Sequence, residues 1–336
     1  MTGLEFSPSP KLLTDIDVLG IIIRDDGSQA RTIFDCKGTG GPAFSRALWL
    51  SGLMTFVGAD EGMILMGKPA ERAHRLAARR LNVRLFGSNS FESYAIASGP
   101  EYAALKSYAG ELESWLRLFD GAAKSTAAAQ IYKAIQQEVP LTKDPAKSLR
   151  RLISRTLEHR GELNPTNSLH MAVFAELTTA VSLLIGMMVG DLRNLVDLAD
   201  SEKEFTAVLR YYLWGGHEGV ATLQKLFALM GATDQEVEPE TSLVAWPQLV
   251  QLTRGLLEAP TQVRHSTTAL RELSLRFLAD RDTSADKRAG RLFMAPRARQ
   301  FAKRISGYTA LIMKLPTEFA DKLEKEIDEL VATASK

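Results

Sequence analysis

The chain changes character at one place. Up to about Gly99, short strand-like runs alternate with helical ones; from Glu101 onward the pattern is helical almost throughout. That order limits the fold to a small mixed sheet with helices on its faces, followed by a body of packed helices. The first two runs, Thr14–Gly20 and Thr32–Lys37, are joined by the turn-rich Asp25-Asp26-Gly27-Ser28. Apolar residues at helical spacing mark Pro42–Val57 as a helix. Gly62–Met66 reads as a short buried strand, Pro69–Leu81 as a basic helix and Val83–Phe86 as a further strand closed by Gly87. Asn89 is placed to cap a helix running to Ala97.

Beyond the Ser98-Gly99-Pro100 boundary, helices are expected at 101–119, 122–138, 144–159, 167–198, 201–213, 216–230, 241–258, 260–280, 284–306 and 316–334. Breaks are expected at Pro140, Pro165, Gly215-Gly216, Gly231, Pro239, Pro260 and Pro316. The fold class is therefore α+β and mostly helical, with an α/β mixed-sheet domain over 1–99 and an all-helical domain over 100–336.

The 336 residues are 45% hydrophobic and 24% charged, which describes a globular protein with ample core. A net charge of +1 provides no global field toward nucleic acid or lipid, so any such affinity must be local. The single cysteine, Cys36, excludes an internal disulfide framework and a cysteine-based zinc site. It is expected as a small apolar filler facing the core. The five histidines show no paired metal-ligand spacing. Met171–Gly190 is mostly apolar, but its uncharged part, Leu177–Gly190, is short for a membrane span. A buried central helix in a cytoplasmic protein without membrane contact is expected, and no secretory signal is visible.

Chemistry concentrates in the first two runs. Side chains alternate along a strand, so Asp35 and Lys37 share a face. Asp17 joins them only if it pairs opposite one of them. A three-residue turn, Asp25-Asp26-Gly27, would set Asp17 opposite Asp35, with Gly27 left-handed. A two-residue turn, Asp26-Gly27, would set it opposite Cys36 and scatter the cluster, unless a bulge restored the register.

Asp15-Ile16-Asp17-Val18-Leu19-Gly20 resembles the acid-x-Asp-aliphatic strand of the PD-(D/E)XK nuclease superfamily. Phe34-Asp35-Cys36-Lys37-Gly38 is similar to that family's apolar-(Asp/Glu)-x-Lys strand, and the helix, strand, helix, strand order that follows fits its core. The family usually opens with a helix; here Pro8 and Pro10 forbid a long one ahead of Thr14. The resemblance covers under a third of the chain. It implies a restriction-endonuclease-like core and metal-dependent hydrolysis of phosphodiesters, with DNA as the expected substrate, in host defence or DNA processing. Asp17, Asp35 and the Cys36 backbone carbonyl would hold Mg²⁺ or Mn²⁺, and Lys37 would position the attacking water. The alternative is a catalytically inactive fold of the same kind, serving as a nucleic-acid-binding or scaffold subunit. A protein partner or a homo-oligomer is compatible with either.

Three basic stretches could meet phosphate. The first holds Arg72, Arg75, Arg79, Arg80 and Arg84; the second Lys147, Arg150, Arg151, Arg155 and Arg160. The third, Lys287 to Arg304, has almost no balancing acid beyond Asp286, which makes Arg288, Arg291, Arg297, Arg299, Lys303 and Arg304 the expected nucleic-acid contacts.

Overall fold

A computed structural model describes residues 2–3, 11–12, 14–24, 28–37, 42–98, 106–197, 199–229, 243 and 245–336. The chain forms two compact units, Met1–Ile22 with Gln29–Leu105, and Ile23–Ser28 with Lys106–Lys336. Together they give a small four-stranded sheet and a mostly helical remainder.

The first unit opens with two short antiparallel strands, β1 (Thr2–Gly3) and β2 (Lys11–Leu12), where Pro8 and Pro10 disfavour a helix. The main sheet has the order β3 (Val18–Ile23), β4 (Gln29–Lys37), β5 (Glu61–Met66), β6 (Val83–Gly87). β4, β5 and β6 run parallel, with Thr32 opposite Glu61 and Gly62 opposite Val83. Parallel neighbours need crossovers, supplied by α1 (Ala43–Val57) and α2 (Arg72–Arg79). α1 ends at Gly58, whose φ of 72° suits a residue without Cβ and lets its N–H cap Met54 O.

Each face of the sheet has its own cover. Ile33, Ile64 and Leu85 are buried with Leu50 and Ala47 of α1, and a Cβ on Gly62 would stand 2.7 Å from Leu50 Cδ2. The other face carries an aromatic cluster in which Phe34 and Phe86 meet Phe91 edge-on. Phe91 lies on α3 (Ser88–Ser98), which starts directly after β6, so Asn89 falls inside the helix and not at its cap.

In the second unit, α4 (Leu112–Ala123), α5 (Thr126–Glu138) and α6 (Pro145–His159) precede the central α7 (Ser168–Leu192). α7 is long and apolar enough to cross a membrane by length and composition, yet 94% of its most apolar window is buried inside the protein. Asn167 caps it by accepting the Leu169 N–H. α8 (Glu202–Trp214) starts with a Ser201/Glu204 capping box and stops at left-handed Gly215, and α9 (Gly216–Leu229) follows. α10 (Trp246–Glu258), α11 (Thr261–Arg276), α12 (Thr283–Leu292), α13 (Pro296–Ile312) and α14 (Glu318–Ala334) complete the unit. α7 and α11 approach closely at Gly186, where a Cβ would come within 2.7 Å of Val263 Cγ1. Buried Arg276 forks onto Asp286 and also pairs with Glu326, tying α11, α12 and α14 together.

Two expected boundaries fail for identifiable reasons. The run 284–306 is two helices, because Pro296 disfavours helical backbone in the residue before it and is itself suited to a helix start. Of the helix expected over 101–119, residues 101–105 lie outside the described residues, and α4 from Leu112 is preceded by an irregular Lys106–Glu111, whose Ser107 Oγ and Ala109 N–H both donate to Glu272.

Candidate active site

The ladder between β3 and β4 decides where the acids meet. Arg24 N–H donates to Ser28 O at 2.7 Å, and a Cβ on Gly20 would stand 4.0 Å from Thr32 Cβ. Both pairs belong to one register, which carried along the strands sets Asp17 opposite Asp35. That is the register of the three-residue-turn alternative. The turn residues Asp25, Asp26 and Gly27 lie outside the described residues, as do Gly38 to Gly41.

Asp17 is not itself in a strand. β3 starts at Val18, so the expected strand Thr14–Gly20 is displaced toward Ile23. Asp17 Oδ2 accepts the Cys36 N–H at 2.7 Å. A side-chain oxygen thus takes the place a main-chain carbonyl would fill, and the ladder stops there. Asp17 and Asp15 are exposed.

Asp35 has a different environment. It pairs with Ile64, which pairs with Leu85, so a carboxylate sits in an aliphatic row with 5% of its side chain exposed. Such a group must be neutralised or paired. Arg46, in the opening turn of α1, supplies the partner, with Nε 2.6 Å from Oδ2 and Nη2 2.6 Å from Oδ1. The Asp35 hydrogen bonds and charge, reinforced by Asp17 and Asp15, hold the Arg46 pKa above the usual arginine value against the effect of burial. The guanidinium also stacks on Trp49, 4.1 Å from the ring centroid.

Cys36 is exposed. β4 buries Arg31, Ile33 and Asp35, so alternation turns Cys36 outward, which corrects its expected place as a core filler. Lys37 closes β4 with its backbone opposite Met66, and its side chain lies outside the described residues.

Carboxylates from neighbouring segments and a main-chain carbonyl at a strand end suit a hard divalent cation in kind. Arg46 acts here as a stand-in cation, binding both Asp35 oxygens and sensing Asp17 and Asp15. Among the described residues no three His, Cys, Asp or Glu side chains converge as a metal site. An ion held by Asp17 and Asp35 would therefore complete its shell with the Cys36 carbonyl, water and phosphate oxygens.

Several members of the basic stretches are committed to intramolecular contacts. Arg75 donates to Ala70 O, and Arg84 approaches Glu61 and donates to the Tyr94 hydroxyl. Arg151 and Arg155 pair with Glu138 and Glu158, while Arg150 lies over Trp214 with its pKa lowered by burial. The third stretch is divided between α12, carrying Arg288 and Arg291, and α13, carrying Arg297, Arg299, Lys303 and Arg304. Lys303 is spent on Asp328 at 2.7 Å. Arg297 and Arg304 instead line a cleft beside α10 and α11. The members of the third stretch are thus shared between two helices.

No protein-family model, curated protein or solved structure matches the chain. The residue that sequence reasoning missed is Arg46. Its signal was a cation in the first turn of a helix, where the macrodipole disfavours positive charge unless an acid lies opposite.

Proposed function

We propose that this protein is a metal-dependent nuclease with a restriction-endonuclease-like core in its first unit. The observation that carries the reading is that Asp17 accepts the N–H of Cys36, the residue next to Asp35, and that the Arg46 bound to Asp35 also senses the Asp17 charge. Asp17, Asp35 and the Cys36 carbonyl would hold Mg²⁺ or Mn²⁺. When bound, such an ion supplies Lewis acidity toward a scissile phosphate. Lys37 would orient the attacking water and offset the charge that grows on the phosphate oxygens. Arg46 balances the two acids and must share or release Asp35 when another cation arrives. Nucleic acid is the substrate in this reading, DNA before RNA, with Arg288, Arg291 and Arg299 available for backbone contacts. A cytoplasmic role in host defence or DNA processing accompanies it.

One feature favours a second reading. Both Asp35 oxygens are engaged by the Arg46 fork and the carboxylate is almost sealed from solvent, as expected of a non-catalytic fold used for binding or scaffolding. Incubating the purified protein with labelled single- and double-stranded DNA and RNA separates the two. The nuclease reading expects cleavage with Mg²⁺ or Mn²⁺, none with chelator, and a loss of at least 100-fold in Asp35→Asn and Lys37→Ala. Retained binding without cleavage under every metal condition would establish the second reading.

A further inference from the structure

The cleft between α10, α11 and α13 in the second unit encloses about 270 Å³. Its charged rim comes from one helix face, because Arg297, Gln300 and Arg304 are spaced three and four apart. Both arginines are exposed, and neither forms an ion pair or hydrogen bond among the described residues. That separates them from Lys303 on the same helix, which is neutralised by Asp328.

The opposite wall has complementary chemistry. Gln262, from the first turn of α11, carries a buried Oε1 with no hydrogen-bond partner, although its Nε2 reaches Thr261 Oγ1 at 3.3 Å. A buried amide oxygen left without a donor is uncommon enough to need an explanation. Glu258, at the end of α10, adds a second acceptor, and buried Phe301 contributes an apolar surface.

The cleft therefore calls for three properties in one ligand. Two unpaired guanidinium groups call for an anion, and phosphate suits their forked donors. The Gln262 and Glu258 oxygens call for N–H or O–H donors. The apolar surface calls for a ring or similar flat body. We infer that this cleft is a binding site for a nucleoside phosphate, with Arg297 and Arg304 on the phosphate and Gln262 and Glu258 on base or sugar donors. The volume lies at the small end for ligand sites, which favours a mononucleotide over a stretch of polymer. This inference does not depend on the nuclease reading.

Isothermal titration of the full-length protein in chelator, which silences any metal-dependent chemistry, tests the assignment. The probes are AMP, GMP, CMP, UMP, adenosine, inorganic phosphate and a twelve-nucleotide single strand. At least one mononucleotide should bind at least ten-fold more tightly than adenosine or phosphate alone. Arg297→Ala/Arg304→Ala should lower that affinity by at least ten-fold, while Lys303→Ala on the same helix leaves it within two-fold. Gln262→Leu should weaken the nucleotide without altering the response to phosphate. Circular dichroism of each variant separates loss of binding from loss of fold, and Arg297→Lys/Arg304→Lys serves if the alanine pair unfolds. The inference is overturned if no mononucleotide binds, if only the twelve-nucleotide strand does, or if the arginine pair can be replaced without effect. Failure of DNA cleavage in the same preparation would leave this result standing.

Discussion

Asp35 and Glu176 present the same physical problem in two different cores. Each is a carboxylate among aliphatic neighbours, and each has an arginine as partner. Asp35 is held by two aligned hydrogen bonds, so its charge is well compensated. Arg46→Ala leaves that carboxylate without its counter-charge and should cost about 2–3 kcal/mol in chemical denaturation. Adding Asp35→Asn should recover part of the loss, since the two changes remove the same interaction. Glu176 is held less well. Arg271 Nε lies 3.1 Å from Glu176 Oε1 but off the hydrogen-bond direction, so neither atom has a hydrogen-bond partner. Burial dominates and raises the Glu176 pKa, against Arg271 and Ser274, which lower it. The folded state therefore binds a proton more tightly than the unfolded chain. Stability from this group should fall as pH rises from the ordinary carboxylate value, about 4.5, toward its raised folded value. Urea midpoints should show that decline in the natural protein and a flatter profile in Glu176→Gln; parallel profiles would refute the assignment.

At the scale of elements, close approach and helix propensity can be set against each other. Gly290 in α12 faces α14 so closely that a Cβ would lie 2.1 Å from Leu330 O, a backbone atom. Gly290→Ala gains helix propensity of about 0.5–1 kcal/mol, but overpacking costs about 1–3 kcal/mol or more, so net destabilisation is expected. Gly307 in α13 meets nothing within 4 Å, and Gly307→Ala should stabilise by about 0.5–1 kcal/mol. Opposite signs in calorimetry would confirm that packing, not propensity, fixes these helices. The same contrast explains what the sequence made legible. The helix expected over Pro42–Val57 followed from its helical periodicity and the strand expected over Gly62–Met66 from a short apolar run, because one local pattern decided each. The start of β3 did not, because Asp17 ends the ladder through a side-chain bond to a residue nineteen positions away. Pro296 carried a readable stop signal that the basic run around it obscured.

The chain comprises a small sheet-containing unit and a larger helical one, and its charges are dispersed, not pooled. A net charge of +1 leaves nucleic-acid affinity to local cations, and several arginines of the basic stretches already have intramolecular contacts. Asp35 was legible as a strand residue, whereas Asp17, read into the same kind of run, lies just ahead of β3. Arg46, which neutralises Asp35, was not legible, because only the fold brings α1 over that end of β4.

Manganese binding to the full-length protein, followed by titration calorimetry, tests the proposed cation site at Asp17 and Asp35 most directly. Saturable binding is expected, which Asp35→Asn weakens by about 10–100-fold, an effect of the size seen at tuned metal sites, and which Arg46→Ala strengthens by removing a competing cation. Absence of binding, or the same affinity in all three proteins, would contradict it.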